Sequence, residues 1–237
     1  MAKANTLWTV APHGALEKVD DRVWRVEGTL PKNPLKRVMT VAKRADGALV
    51  VHNGVCLGDA EMKAIDAWGE VAWIVVPNGY HRTDAKVFSD RYPKAKVLCP
   101  GGVRAKVEEV VGVSGAYADF AKDDAVELHD LDGTKAQEGV MIVRGASGAT
   151  LVFNDAIFNM PNLPGFTGFV LEHLTQSSGR PRVSRISRMF LIKDKPAFRA
   201  HLERLAETPG LARVIVSHHE VIDREPAKVL REVAATL

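Results

Sequence analysis

Only two cysteines, Cys56 and Cys99, occur in the 237 residues, and they stand far apart with no Cys-x-x-Cys spacing. That scarcity excludes a disulfide-dense scaffold and fits a reducing compartment in which both thiols are buried. Long apolar runs are also missing: nothing approaches the roughly 18 residues of a bilayer span, and residues 1–12 lack a continuous signal-peptide core. A soluble, cytoplasmic chain with no membrane partner is therefore expected. Charge of one sign is scarce too, since 32 basic and 29 acidic residues leave a formal +3. So small a surplus does not make the basic footprint of nucleic-acid binding, and no nucleic-acid partner is expected. No Walker or G-x-G-x-x-G loop is present, although Gly101-Gly102 sits between a strand and a helix in a position suited to a tight turn. No Gly-x-Ser-x-Gly elbow exists to expose a nucleophile, and Ser217 and His218, as neighbours on one strand, point apart.

What remains is ordinary globular material: 46% hydrophobic and 26% charged residues, in a length that suits one large domain over 1–237. β-rich runs at 23–27, 38–42 and 48–52 are punctuated by Gly28, the 31–34 segment and Asp46-Gly47. Met62, Ile65 and Trp68 recur every third residue and predict a helix over 58–68, with Asp59 and Glu61 in its first turn. The apolar run 71–76 reads as a strand buried on both faces and stops at Pro77-Asn78-Gly79. Alternation then continues: a helix over 83–91, a strand over 96–99 and a helix over 103–111. In the second half, strands are expected at 125–128, 140–144, 150–153 and 213–217, and helices at 196–207 and 226–235. Residues 159–188 are rich in Gly, Pro and Ser yet follow Phe158 and contain Phe166 and Phe169. They read as a long covering loop or a lid, or as aromatic side chains closing over the core.

The run from Trp73 through Pro77, Asn78, Gly79, Tyr80, His81, Arg82 and Thr83 to Asp84, with the helix and strand behind it, resembles the strand and metal loop of the metallo-β-lactamase-fold superfamily. Two further stretches are similar to family landmarks: 150–155, a strand ending in Asp155, and 214–218, a strand ending in His218. The resemblance implies an α/β fold, a four-layer αββα sandwich of the metallo-β-lactamase type, and a site on loops that follow strands. It also implies an eroded metal site. The family's His-x-His-x-Asp-His loop is met here by Asn78, Tyr80, Arg82 and Thr83, and its middle histidine by Asp132 and Gly133 in register, with His129 close by on a strand. The branch it resembles has a strand ending in Pro-Asn ahead of one isolated histidine.

Asp155, His218 and His81, the last displaced by one position, are the remaining candidate ligands. Three protein ligands with an open position for water suit a mononuclear site. Arg82, where the family has an aspartate, opposes a second cation. The cofactor is thus expected to be none, or a single divalent metal (zinc, iron or manganese). Asn78, Tyr80, Arg82, Asp84 and His219 are candidate pocket residues. Arg180, Arg182, Arg185 and Arg188 cluster late in the long segment; the last three would share a face if helical, and Arg182 and Arg185 are candidates for holding an anionic group, against a plainly solvated basic face. The expected function is a metallo-β-lactamase-fold protein without the usual dinuclear centre, binding a small molecule or weakly catalytic. Two alternatives stand beside it: a mononuclear metal-dependent hydrolase using His81, Asp155 and His218, and an interaction module presenting Phe166, Phe169 and the arginines. A homo-oligomer is compatible with all three.

Overall fold

A computed structural model describes residues 4–30 and 33–237. Its first sheet runs in the order β1 (Glu17–Asp20), β2 (Val23–Leu30), β3 (Asn33–Lys43), β4 (Leu49–His52), β5 (Val71–Val75), β6 (Lys96–Cys99), β7 (Gly115–Ala116). The first four strands are antiparallel neighbours. From β4 onward the pairs are parallel. Parallel neighbours need crossovers, and α1 (Asp59–Trp68), α2 (Ala85–Arg91) and α3 (Arg104–Glu108) supply them. The second sheet is ordered β11 (Leu211–Ile215), β10 (Gly148–Val152), β9 (Gly139–Gly145), β8 (Val126–Asp130). It is antiparallel except for the β10–β11 pair. Between β10 and β11 come α4 (Gly165–Phe169), α5 (Arg185–Phe190) and α6 (Lys195–Leu205), and α7 (Pro226–Ala235) closes the chain.

Side-chain alternation makes the layers. Along β3 and β4, Met39, Val41, Leu49 and Val51 face outward onto Met62 and Ile65 of α1, Phe88 of α2 and Val107 of α3. Their neighbours Val38, Ala42 and Val50 turn inward to meet Met141, Val143, Val152 and Ile215 of the second sheet. On the far side, Leu151, Phe153, Val214 and Val216 bury Phe198 and Leu202 of α6 with Leu230 and Val233 of α7. Both sheets are therefore apolar on both faces, and the result is a four-layer αββα sandwich.

The expected helices 58–68 and 226–235 lie at α1 and α7, because spacing of three and four puts Met62 and Ile65, and Leu230 and Val233, on single faces. Pro196 sits in the first turn of α6, where Asp194 Oδ1 accepts the Ala197 N–H at 3.0 Å. The helix expected over 103–111 is shorter: Gly101–Val103 forms a 3-10 turn and α3 ends at Glu108. Asn33 and Pro34, read as part of a break, belong to β3, and the remainder of that break, Pro31 and Lys32, lies outside the described residues. Residues 159–188 hold α4, the π-helical turn Val170–Leu174 and the start of α5. Cys56 and Cys99 are free and buried, and burial pushes their thiols up to about 12 and about 11. Among the described residues no helix is long and apolar enough to cross a membrane.

Candidate functional site

The loops after β4, β5, β10 and β11 meet at one end of the sandwich, outside the carboxyl ends of the strands, where open α/β sheets commonly place ligands. After β5, Asn78 is buried and folds the loop on itself: its Oδ1 accepts the N–H groups of Tyr80 at 2.8 Å and His81 at 3.0 Å. Its Nδ2 donates to Asp155 Oδ2 at 2.8 Å and Glu138 Oε2 at 3.1 Å. One amide thus aims the His81 loop and ties it to the loop after β10.

His81 Nε2 stands 3.0 Å from Asp155 Oδ1, and His218 Nε2 stands 3.1 Å from the same oxygen. The other ring nitrogens are committed. His218 Nδ1 donates to the backbone carbonyl of Lys36 at 2.5 Å. His81 Nδ1 faces Asn53 Oδ1 at 3.2 Å, and because Asn53 Nδ2 donates to the Val38 carbonyl at 2.9 Å, the atom facing His81 is an acceptor. As neutral rings, both imidazoles would carry their proton on Nδ1 and turn a bare Nε2 toward a carboxylate oxygen. Phe158 stacks on His218 with centroids 5.1 Å apart.

Three acceptors converging without a donor is an unfavourable arrangement unless a cation lies among them or the rings are protonated. The donor set suits a metal. The ligand atoms of His81, Asp155 and His218 all lie within 4.8 Å of one another, and two ligands bound tetrahedrally at 2.0–2.1 Å stand about 3.3 Å apart. Histidines held through Nδ1 by an amide oxygen and a backbone carbonyl are the outer support such ligands need. Burial opposes ionisation of Asp155, yet His81 and His218 hold its carboxyl well below the usual range.

Glu138 and Asn53 are site residues that the sequence reading missed. Glu138 is fully buried and accepts the N–H groups of Asn154 at 3.2 Å, Asp155 at 3.0 Å and Ala156 at 2.7 Å. Burial, with the Asp155 carboxylate beside it, pushes Glu138 up to about 8. It lies in a polar turn before β9, which reads as solvated. Asn53 adopts φ 57° directly after β4, and the strand-ending pair Asn53-Gly54 is the signal that could have found it.

The other sequence candidates go different ways. Asn78 lines the cavity above the cluster, and Tyr80, 63% exposed, stands at its rim with Lys106 Nζ 3.8 Å from its ring centroid. Three of the expected pocket residues, Arg82, Asp84 and His219, are not among the described cavity-lining residues. Arg82 donates to Glu109 Oε2 at 2.6 Å and to the Lys106 carbonyl, away from the cavity. Asp84 is buried as the ion-pair partner of Arg37 and accepts from Asn5 Nδ2 at 2.6 Å, so its charge is spent on structure. His219, at φ 68°, turns its ring toward the Lys36 N–H at 3.5 Å, and burial lowers its pKa. The arginines do not form one helical face either: Arg182 precedes α5 and pairs by backbone with Phe158, and only Arg185 and Arg188 lie in the helix. Neither Arg182 nor Arg185 is among the described cavity-lining residues; their guanidiniums donate to the carbonyls of Ser178 and Leu174, each at 3.3 Å. Phe166 and Phe169 are exposed.

Above the cluster opens a cavity of about 560 Å³, walled on one side by the 171–191 segment.

This architecture is that of the metallo-β-lactamases. DIM-1 metallo-β-lactamase exposed to ceftazidime is similar over 96% of this chain and 99% of that one, at 12% identity and a TM-score of 0.63. The metallo-β-lactamase from Pontibacter korlensis matches over 94% and 99%, at 12% identity and a TM-score of 0.61. FIM-1 from Pseudomonas aeruginosa, in its mono-zinc form, matches over 96% of each chain at 9% identity and a TM-score of 0.59. The protein thus has the metallo-β-lactamase fold, reached by a sequence far from these enzymes. No protein-family model matches the chain, and no curated protein sequence matches it.

Proposed function

We propose that the protein is a mononuclear metal-dependent hydrolase in which His81, Asp155 and His218 hold one divalent cation at the floor of the cavity. The observation that carries this reading is the pair of imidazoles whose Nδ1 atoms are committed to Lys36 and Asn53 while both Nε2 atoms face one Asp155 oxygen. A cation bound there supplies Lewis acidity, polarising a carbonyl and lowering the pKa of a water toward neutrality.

The chain's own groups do the rest. Asn53 and the Lys36 carbonyl fix the imidazole tautomers, Asn78 holds the Asp155 carboxylate, and Phe158 shields one face of His218 from water. Among the described residues no second cluster of potential metal ligands is present. Asn78 spends both ends of its amide within the fold, Tyr80 stands at the cavity rim with no carboxylate or imidazole to offer, and Arg82 turns away to Glu109.

Metal analysis of protein purified without chelator tests the proposal. One equivalent of zinc, iron or manganese per chain is expected, falling to below about a tenth in Asp155→Ala and His218→Ala together with any esterase turnover. Two equivalents, or none, would overturn it, as would variants that keep metal and activity.

A further inference from the structure

The cavity above the cluster is apolar for a chemical reason that can be followed atom by atom. Leu30, Leu35, Phe158, Leu171, Ile186 and Phe190 line it. Hydroxyl groups also face the wall, but they are consumed within it. Thr175 Oγ1 is bonded to the Leu171 carbonyl at 3.2 Å and to Ser177 Oγ at 2.8 Å. Ser184 Oγ meets Ser187 Oγ at 2.9 Å, and Ser187 Oγ donates to the Asp155 carbonyl at 2.7 Å. No Lys or Arg occurs among the described lining residues, so an anionic group on a ligand's tail would be desolvated without a partner. Tyr80 and Gln137 are the lining side chains left without a side-chain hydrogen bond among the described residues, enough for one polar group. A sugar or a peptide would leave most of its own polar groups unsatisfied here.

We propose that this cavity takes the aliphatic chain of a neutral acyl ester and presents its carbonyl to His81, Asp155 and His218. The inference rests on the hydrolase reading above and names the substrate class of that site. In the reaction, the oxygen of water bonds to the acyl carbon and the acyl carbon–oxygen bond breaks. The alcohol departs with one of the water's protons, and the acid keeps the hydroxyl, which ionises in neutral solution. A volume of about 560 Å³ lies within the range of sites that bury most of a small ligand. Each methylene that leaves water for such a surface strengthens binding about two- to fourfold.

The test is a chain-length series on the protein as purified with its metal. With 4-nitrophenyl acetate, butyrate and octanoate, kcat/KM is expected to climb about two- to fourfold per added methylene until the cavity is full. Leu171→Trp, which fills the wall, lowers the octanoate-to-acetate ratio at least tenfold. A second readout needs no turnover: straight-chain alcohols displace the neutral dye Nile red from the Asp155→Ala variant, more tightly as they lengthen. Turnover of acetate with no rise along the series, and alcohols that bind without regard to length, overturn the acyl-chain assignment and leave the hydrolase reading standing. Alcohols that bind by length while no ester is hydrolysed overturn the hydrolase reading, and the ester with it.

Discussion

Asn78 and His52 lie at the ends of neighbouring strands and carry opposite burdens. The amide of Asn78 is fully used, accepting two backbone N–H groups and donating to two carboxyls. His52 is 1% exposed, and its Nε2 has no partner among the described residues. Burial, and secondarily the nearby His81, drives its pKa down to about 3. The sign of the consequence is fixed. The unfolded chain takes up a proton below about pH 6.5 that the folded chain refuses, so stability is lost as pH falls from about 6.5 toward 3. His201 and His219, also lowered by burial, act in the same direction. Urea unfolding at pH 7.5 and 5.5 should therefore show the native protein losing about 1 kcal/mol more than His52→Leu over that interval. Equal losses in the two proteins would show that His52 is not held neutral by the fold.

At the scale of elements, what could be read in advance was what local pattern controls. Helices α1 and α7 bury single faces with regular spacing, and β5 is a continuous apolar run, so each is legible without its neighbours. Strands β1 and β7, four and two residues long, exist because a partner strand pairs with them, and nothing in Glu17–Asp20 or Gly115–Ala116 announces that. Helices α4 and α5 are likewise too short to be stable alone. Gly133 shows how tertiary packing overrides a motif reading. The family register sets it near a ligand position, yet here the backbone of α6's entry lies against it: a Cβ would fall 2.2 Å from the Asp194 carbonyl oxygen and 2.9 Å from Phe198. Its φ is 78°, and its own carbonyl accepts the N–H groups of Lys193 at 2.7 Å and Asp194 at 3.0 Å. Gly133→Ala should cost about 2–3 kcal/mol, or about 4–12 °C in melting temperature. Gly47, at φ 89° with nothing within 4 Å, meets the conformational cost alone, so Gly47→Ala should lose clearly less. Equal losses would mean that crowding at Asp194 contributes nothing.

Across the whole molecule, the candidate site is one of the places where polar groups join the two sheets; another is Asp20 of β1, which accepts from Arg213 of β11 and from Ser147. The first sheet sends Asn53 and His81 from the ends of β4 and β5, and the second sends Asp155 and His218 from β10 and β11. That His81, Asp155 and His218 lie on segments that follow strands was visible in the sequence; that Glu138 sits beneath them was not, because a buried acid is betrayed by its partners and they come from 60 and 17 residues away. The backbone adds one tie, Val38 N–H to the Ser217 carbonyl at 2.8 Å. A cation held by His81 on one side and by Asp155 and His218 on the other would bind only the folded chain, so its binding free energy adds to stability. At a free zinc concentration about a hundred times the dissociation constant, the gain is about 2.7 kcal/mol. For a chain of 237 residues that corresponds to a rise of about 5–11 °C in melting temperature, reversed by a chelator. Asp155→Ala should melt at one temperature with or without zinc. A native protein that zinc leaves unmoved, or a variant that zinc stabilises equally, would show that the three side chains do not clamp the sheets through a metal.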